Sequence, residues 1–402
     1  MSITDTCFFF AIASNLFSGI TPEEFKLEYQ WTHINYTWTS RFQYQDAVSS
    51  EKYIPENIFP TGVKFHGDRL FLATPSYRKG VPFTLSYVLR SAKDKTNTPL
   101  IPFPNAVLHR ENNCSYLQNV QTLEIDRKGI MWVLDGVRMS GTTNCPGKLQ
   151  QFDLNRGGVL IHTYVFPDEI CLRDGCLLND LVVDDEDHIY ITDASNIDPG
   201  LVVYCRTDNK AWKFRDSSMF PQKDGPKYSI DNYPVLIPAP IDGIALSPIP
   251  GDKLKKSRVV YYCPLTGYDL FSVAADILRN ETLHHSGLFR NYIVRVGKKQ
   301  GATDGMMMDN KGNLYYSLTS HNAVGRWNIH EPFDQSEVIY RNNRTLIWPD
   351  AFGMDQKGYL YVMANRAFDY LAPNVELNFT SEIKFRIFKY YTGSRSYLYP
   401  NF

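Results

Sequence analysis

A short pattern recurs six times along the 402 residues of this chain. In its clearest copy, residues 304–327, an apolar strand ends at Met308, a turn follows at residues 309–312, and a second strand returns over residues 314–317. Asn and Gly tolerate the positive φ of a tight reversal, so the pattern predicts two antiparallel strands, with a third expected around Val324. A repeated unit of this kind constrains the fold more than any other feature of the sequence.

The copies are spaced widely enough to hold four strands each. They span residues 61–74, 121–135, 179–193, 242–264, 304–327 and 350–365. Further strand-like segments follow the second and third copies, at residues 148–154, 159–166, 201–205 and 211–214. Four antiparallel strands repeated about every 40–70 residues are typical of propeller blades. We therefore predict an all-β fold, a six-bladed β-propeller of four-stranded antiparallel blades; two stacked β-sandwiches are the alternative.

A closed propeller requires the two ends of the chain to meet. After the sixth copy, residues 385–391 are the clear strand, whereas residues 27–38 form a strand-like segment before the first copy. We predict that the N-terminal strand forms the outer edge of the last blade. Residues 20–402 then form one domain, closed by pairing of the N- and C-terminal strands.

The N-terminal residues predict export. Residues 7–17 form an apolar run of signal-peptide length, so we interpret residues 1–19 as a signal peptide. No later run approaches the roughly 18 apolar residues of a membrane span, and we expect no membrane association. We predict a secreted, extracellular glycoprotein. Its five N-x-S/T sequons are at Asn35, Asn113, Asn280, Asn343 and Asn378.

Charge and cysteine content argue against several other classes of protein. The 42 basic and 43 acidic residues nearly balance, so no nucleic-acid partner is indicated. If Cys7 leaves with the signal peptide, six cysteines remain, and an even number in a secreted chain favours disulfides over a metal site. The sequence contains no CxxC, GxSxG, HExxH or P-loop motif. We expect neither a cofactor nor a bound metal.

Alignment of the copies on their turns produces a column of polar residues. Each stands at the start of an innermost strand, and in a propeller these starts surround one mouth of the central channel, a typical position for a small-molecule site. The column consists of Thr61, Gln121, Asn179, Asp242, Asp304 and Asp350. Residues near the ends of the returning strands are additional candidates for the channel lining, namely Asp135, Asp193, His321 and Asn365. Any single member could instead cap a turn.

The three aspartates of the column suggest a positively charged ligand. Carboxylates crowded at one mouth repel one another unless a cation or an amine lies among them. Two hypotheses follow, a calcium ion or a ligand ammonium held by carboxylates and aromatic faces.

Several segments resemble the Yellow and major royal jelly protein family of insects. They are YIPENIFPTGV (53–63), RLFLATPSYRKGVPFTL (69–85), WVLD (132–135), DGIALSPI (242–249), NAVGRW (322–327) and WPDAFGMD (348–355). The resemblance covers about residues 25–392 and implies a secreted six-bladed propeller in which Cys114 pairs with Cys145. Relatives often have Cys at the position of Arg326, so a second bridge is not carried over, and Cys171, Cys176, Cys205 and Cys263 allow three pairings.

The functions implied by this resemblance differ among family members. Some members are linked to dopachrome conversion in melanin formation, some bind biogenic amines such as serotonin, and others are nutrient proteins. Asn365 matches an Asn that amine-binding members use, and Phe368 nearby could stack on an aromatic amine. Dopachrome conversion requires a base and an acid. For that reaction Asp304 or Asp350 is our candidate base, and His321 would hold or donate a proton.

A metal-dependent lactonase is a competing class on six blades. Such enzymes typically place a Glu ligand at the first inner strand, where this chain has Thr61. We therefore predict a Yellow-like protein that binds or isomerises a small aromatic amine or catechol. Its expected ligand-binding residues are Thr61, Gln121, Asn179, Asp242, Asn365 and Phe368. A non-catalytic amine-binding protein and a nutrient or structural protein are the alternatives.

Overall fold

The computed structural model describes residues 24–109, 113–138, 143–230, 233–235, 238–251, 257–371 and 382–400. The interpreted signal peptide and Asn378 lie outside these ranges. Six antiparallel sheets form the six blades of an all-β propeller, which confirms the predicted fold. The innermost strands of successive blades contact one another in a closed ring.

The strands of each blade follow one another outwards from the channel. In this order, blade 1 contains Gly62–His66, Arg69–Ala73, Leu85–Leu89 and Ile101–Pro102, and blade 2 contains Val120–Ile125, Ile130–Asp135, Lys148–Asp153 and Val159–Val165. Blade 3 contains Cys176–Val183, His188–Asp193, Gly200–Cys205 and Lys210–Phe214, and blade 4 contains Ile241–Leu246, Val259–Pro264, Asp269–Ala274 and Val294–Lys298. Blade 5 contains Met306–Met308, Asn313–Leu318, Ala323–Asn328 and Glu337–Arg341, and blade 6 contains Pro349–Met354, Tyr359–Ala364, Phe385–Tyr391 and Lys26–Trp31. We call the face at which the innermost strands begin the mouth face, and the opposite face the far face.

The N-terminal strand closes the ring as predicted. Lys26–Trp31 pairs antiparallel with Phe385–Tyr391 and forms the outer edge of blade 6. The fully buried Trp31 anchors this strand, because its Nε1 donates a hydrogen bond to the carbonyl of Thr98 at 2.9 Å. The strand is shorter than the predicted segment 27–38, and beyond it Tyr36 forms an isolated bridge with Leu100.

An aspartate in the far-face turn explains why the sequence pattern repeats. In blades 2, 3, 5 and 6 its Oδ1 accepts hydrogen bonds from the backbone N–H groups two and four residues later. Its Oδ2 accepts a hydrogen bond from the aromatic side chain six residues later. These pairs are Asp126–Trp132, Asp184–Tyr190, Asp309–Tyr315 and Asp355–Tyr361, at 3.3, 2.9, 3.4 and 3.1 Å. One carboxylate therefore fixes both the turn and the strand that returns from it.

Short helices lie in the connections between strands. The α-helices are Arg41–Ser49, Ala275–Arg279, Thr282–Ser286 and Ala367–Leu371, and the 3₁₀ helices are Pro55–Asn57, Ala106–Leu108, Leu154–Arg156, Ser217–Met219, Leu288–Tyr292, Thr319–His321 and Phe333–Gln335. Two further short strands, Ser229–Ile230 and Tyr233–Pro234, pair with each other, and Val137–Arg138 extends the inner edge of blade 3. No helix in the described ranges is long and apolar enough to cross a membrane.

Two disulfides are present among the described cysteines. One joins Cys114 to Cys145, the pair that the family resemblance implies, and the other joins Cys171 to Cys176. The remaining two of the four cysteines whose pairing was open are buried free thiols, Cys205 in blade 3 and Cys263 in blade 4. The even cysteine count thus predicted disulfides without identifying all of the bonded residues.

The predicted glycosylation sites differ in their surroundings. Asn113, Asn280 and Asn343 are exposed. Asn35 is half-buried, and its Oδ1 accepts hydrogen bonds from the backbone N–H of the next residue, from Trp38 and from Tyr53. Glycosylation of any of these residues stays a prediction.

Candidate functional site

All six polar residues of the sequence column line one cavity at the mouth of the channel. The innermost strands approach so closely there that a side chain after two of the aspartates would collide with the next blade. A Cβ atom on Gly243 would meet the carbonyl oxygen of Asp304, and one on Gly305 would meet that of Asp350. The Asp-Gly pairs of the sequence are therefore required by this close packing. The cavity has a volume of about 30 Å³, enough for about two water molecules.

A chain of hydrogen bonds runs around the mouth. The hydroxyl of Tyr77 donates to Oε1 of Gln121 at 2.9 Å, and Nε2 of Gln121 donates to Oδ1 of Asn179 at 2.7 Å. Nδ2 of Asn179 then donates to Oδ1 of Asp242 at 2.6 Å. Side chains from blades 1 to 4 are linked in this way, and the chain ends on the first of three carboxyl groups.

The three carboxyl groups continue the chain as a row. Asp304 is hydrogen-bonded to Asp242 on one side and to Asp350 on the other. It also accepts a hydrogen bond from Nε1 of Trp348 at 2.6 Å, while Nδ2 of Asn365 donates to Oδ2 of Asp350. Two carboxyl groups can share a hydrogen bond only if one of them carries a proton. At least one member of each hydrogen-bonded pair in the row is therefore protonated.

Burial and mutual repulsion set the protonation of this row. Burial is the main cause that raises the pKa of Asp242 and Asp350 well above the ordinary range, and the charge of Asp304 raises both further. Burial also raises the pKa of Asp304, but the hydrogen bonds that it accepts oppose the rise. We infer that Asp304 is the ionised member and that the two flanking carboxyl groups donate to it.

In the described part of the chain, no group of three or more His, Cys, Asp or Glu side chains is arranged to hold a metal ion.

Aromatic side chains stand beside the carboxyl row. Phe368 stacks on Trp348 with ring centroids 6.4 Å apart and an interplanar angle of 20°. The ring of Tyr228 lies 6.5 Å from that of Trp348, and Tyr77 packs against Phe59 at 5.6 Å. Trp348 has a φ of 53°, a left-handed conformation that is rare for a bulky residue. The mouth therefore combines an anionic carboxylate with aromatic faces.

Other residues predicted at the mouth have different surroundings. His321 is not among the residues that line the cavity; its Nδ1 is hydrogen-bonded to Ser320 at 2.9 Å, and burial lowers its pKa. Asn365 does reach the site, but it is fully engaged. Its Nδ2 also donates to the carbonyl of Pro60 at 2.8 Å, and its Oδ1 accepts from the backbone N–H of Ala367. Asn365 thus joins blade 6 to blade 1.

Two acidic candidates bind lysines instead of lining the cavity. Oδ2 of Asp135 lies 3.3 Å from Nζ of Lys148, and Oδ2 of Asp193 lies 2.7 Å from Nζ of Lys213. Both carboxylates also accept hydrogen bonds from backbone N–H groups in the neighbouring loops. Neither residue is among those that line the mouth cavity, and ion pairs of this kind stabilise the loop structure.

Sequence reasoning did not identify Trp348, Tyr77, Lys64 or Asp180 as site residues. Trp348 could have been found, because it stands two residues before Asp350 of the column. Lys64 and Asp180 line the same cavity, and Nζ of Lys64 lies 3.1 Å from Oε2 of Glu124. Burial raises the pKa of Asp180 to about 6 although Lys64 opposes the shift.

Comparison with known proteins agrees with the family resemblance. Residues 118–393 match the family model described as Major royal jelly protein. The chain is 25% identical over 405 residues to dopaminechrome tautomerase of Drosophila melanogaster, covering 94% of this chain and 84% of that protein. It is 26% identical over 390 residues to Protein yellow of Drosophila erecta, covering 93% and 70%. Among solved structures, a luciferin-regenerating enzyme matches with a TM-score of 0.48 at 11% identity, covering 84% of this chain and 93% of that chain. The chain belongs to the major royal jelly protein family.

Proposed function

We propose that the mouth of the channel catalyses the tautomerisation of a small aminochrome, the cyclised and oxidised form of a catecholamine. The row of three hydrogen-bonded, buried carboxyl groups carries this proposal, because it offers a proton acceptor and proton donors side by side. The similarity to a protein named dopaminechrome tautomerase supports the choice of substrate class.

The proposed reaction moves two protons in succession and needs no oxidant. The carboxylate of Asp304 removes a proton from the saturated ring carbon beside the quinone ring. The electrons of that C–H bond form a double bond to the ring, and the conjugated π electrons move to a quinone carbonyl oxygen. That oxygen takes a proton from Asp350 or Asp242, which gives a quinone methide. A second transfer of the same kind, from the neighbouring saturated carbon to the other carbonyl oxygen, gives the aromatic dihydroxyindole. General acid and base catalysis by positioned groups each contribute about 10²–10⁴-fold to such a reaction.

The carboxyl row also explains how the site is restored after each turnover. Asp304 ends each proton transfer protonated, and the flanking carboxyl group that donated ends it ionised. Because the two groups are hydrogen-bonded to each other, the proton returns along that bond. The site regains its starting protonation without exchange with bulk water.

Cavity size defines where the substrate ring would bind. A cavity of about 30 Å³ cannot enclose a bicyclic ring. We therefore expect the ring to lie at the entrance of the cavity, against the half-buried ring of Tyr77, with its polar edge directed at the carboxyl row. Trp348 and Phe368 are buried and stacked on each other. A positively charged ring nitrogen would be attracted by both the aromatic face of Tyr77 and Asp304.

Binding of a biogenic amine without turnover is the second candidate. It is favoured by the position of the Asp304 carboxylate next to the stacked rings of Trp348 and Phe368, a suitable arrangement for an ammonium on an aromatic body. Asn365 would join such a ligand only by giving up one of its present hydrogen bonds.

An absorbance assay with dopaminechrome distinguishes the two candidates. The wild-type protein should accelerate loss of the aminochrome colour above the spontaneous rate. Asp304→Asn should reduce that acceleration by about 100-fold or more, because the amide cannot accept the proton. The control is Asp334→Asn, which changes an exposed residue by the same chemistry.

Calorimetric titration with dopamine completes this test. Tight dopamine binding without acceleration in the wild type would replace the tautomerase by the amine-binding candidate. Equal acceleration by Asp304→Asn and Asp334→Asn would contradict the assignment of Asp304 as the base.

A further inference from the structure

We propose that a second cavity, at the far face of the channel, binds a small carboxylate that carries an apolar body. This cavity has a volume of about 400 Å³, against about 30 Å³ at the mouth. Sites for small organic ligands usually measure about 300–1,000 Å³. By size alone, the far cavity is suited to enclose a ligand of one or two rings.

The carboxylates that line the far cavity are already satisfied. Oδ2 of Asp355 lies 2.6 Å from a guanidinium nitrogen of Arg90, and its Oδ1 accepts two backbone hydrogen bonds. Oε2 of Glu124 is paired with Lys64, and its Oε1 accepts a backbone hydrogen bond. Neither carboxylate is left to attract a cationic ligand.

The lining cations, in contrast, are not all neutralised. The cavity lining contains three cations, Lys64, Arg90 and Lys357, and only the two carboxylates. One positive charge is therefore not neutralised. Lys357 is exposed, and in the described ranges its ammonium makes no ion pair. The half-buried imidazole of His66 also lines the cavity. The uncompensated charge is positive, which favours an anion.

Apolar side chains form the remaining walls. They are Phe65, Ile125, Met307, Met354 and Leu398. Methionine side chains adapt to ligands of different shape and make favourable contacts with aromatic rings. A ligand that has a carboxylate at one end and an aromatic or aliphatic body at the other complements both parts of this lining.

The far cavity is distinct from the mouth cavity although both lie on the channel. Lys64 lines both of them, and its ion pair with Glu124 stands between them. The mouth side has the carboxyl row, whereas the far side has the spare cation. A ligand of the far cavity is therefore expected to have the opposite charge to a ligand of the mouth, and this inference does not depend on the proposed tautomerase activity.

Two indole probes of opposite charge test the proposal. Indole-3-acetate is the anion and tryptamine the cation, and each is titrated into protein labelled with ¹³C at the methionine methyl groups. Met307 and Met354 report on the far cavity through ring-current shifts, and Met306, which lines the mouth cavity, reports on the mouth. Single Met→Leu variants assign the signals. We expect indole-3-acetate to shift the methyl signals of Met307 and Met354 and leave that of Met306 unchanged.

Substitution of Gly67 provides a matched pair of variants. Gly67 lines the far cavity with a φ of +57°, and a Cβ at this position would meet no atom within 4 Å. Asn and Asp both tolerate this conformation, so Gly67→Asn and Gly67→Asp differ mainly by one negative charge. Gly67→Asp should weaken indole-3-acetate binding about fivefold, whereas Gly67→Asn should stay within about twofold of wild type. If Gly67→Asp does not fold, Lys357→Gln takes its place as the test variant. This change at an exposed residue should weaken indole-3-acetate binding by a similar factor.

Three results would overturn the proposal. The first is absence of any shift at Met307 and Met354 with millimolar indole-3-acetate. The second is equal shifts with tryptamine, since the site would then lack charge selectivity. The third is unchanged affinity in both Gly67→Asp and Lys357→Gln.

Discussion

The two ends of the channel compensate the burial of carboxyl groups in different ways. At the far face the two carboxylates that line the cavity have cationic partners, as Glu124 has Lys64 and Asp355 has Arg90. At the mouth the carboxyl groups have one another, and burial raises the pKa of each. A carboxylate paired with a cation keeps its charge and stabilises the fold, whereas a carboxyl row held together by protons is ready to exchange them.

The far face is also covered in part by the C-terminal segment, residues 392–400. The fully buried Tyr397 donates its backbone N–H to the carbonyl of Met308 at 3.0 Å, and its hydroxyl donates to Glu124 at 3.3 Å. The same hydroxyl accepts a hydrogen bond from the backbone N–H of Val183, and the backbone carbonyl of Tyr397 accepts one from Arg258. The C-terminal segment thus ties blades 2, 3, 4 and 5 together at the end opposite the carboxyl row.

The largest predicted effect is a loss of stability at the far face, whereas the corresponding change at the mouth should reduce activity. Tyr397→Ala should lower the free energy of unfolding by about 3–5 kcal/mol, because it leaves a cavity and unpaired buried groups. Asp350→Asn should change it by less than about 1 kcal/mol near neutral pH, because an amide replaces a carboxyl group that is already uncharged. Urea denaturation measures both variants, and the aminochrome assay should show a loss only for Asp350→Asn. Equal losses of stability would mean that the carboxyl row is mainly structural.

A second prediction concerns Asp180, which lines the mouth cavity next to Asn179. Burial raises its pKa from an ordinary value near 3.9 to about 6 in the folded protein. The folded state therefore holds a proton that the unfolded state releases between these values. Stability from this group is fully present below pH about 4 and declines by about 3 kcal/mol as the pH rises to about 6.

Asp180→Asn should remove this contribution to the pH dependence. The variant should unfold at a higher urea concentration than the wild type at pH 7, and the two should converge towards pH 4. An identical slope of stability against pH in both proteins would show that Asp180 keeps an ordinary pKa. Asp334→Asn serves again as the control, since that residue is exposed.

The fold could be predicted from the sequence because the same sequence motif is repeated along the chain. The far-face turns need an Asp to hold the backbone and an aromatic donor six residues later, so the motif recurs wherever the geometry recurs. The polar column was accessible for the same reason, since Gly243 and Gly305 mark the closest approach of the innermost strands. Periodic structure produces periodic sequence, and alignment of the copies detects it.

Features that occur once in the fold were not predictable in this way. The bond from Trp348 to Asp304 joins a loop to a strand start in the preceding blade, and no repeat indicates it. The positions of Asp135 and Asp193 depend on Lys148 and Lys213, which are 13 and 20 residues away in the sequence. The C-terminal segment forms part of the wall of the far cavity. This segment occurs once, so no sequence repeat predicts its path across the channel.

The smallest predicted effect comes from deletion of one hydroxyl group at each end. Tyr361 at the far face donates to Asp355 at 3.1 Å and accepts from Arg90 at 2.9 Å, whereas Tyr77 at the mouth donates to Gln121 at 2.9 Å. Tyr361→Phe should cost about 1–1.5 kcal/mol of unfolding free energy, because it removes hydrogen bonds to buried charged groups. Tyr77→Phe should cost about 0.5 kcal/mol, because Tyr77 is half-buried and water can replace its hydroxyl.

Blade 1 has Phe71 where four other blades have the aromatic hydrogen-bond donor, so the fold tolerates the missing bond in at least one place. Urea denaturation of the two variants therefore compares the ends of the channel by the same chemical change. A larger loss for Tyr77→Phe than for Tyr361→Phe would reverse the assignment of the far face as the more stabilising end. The hydrogen-bond chain at the mouth would then hold the blades together as well as orient the carboxyl row.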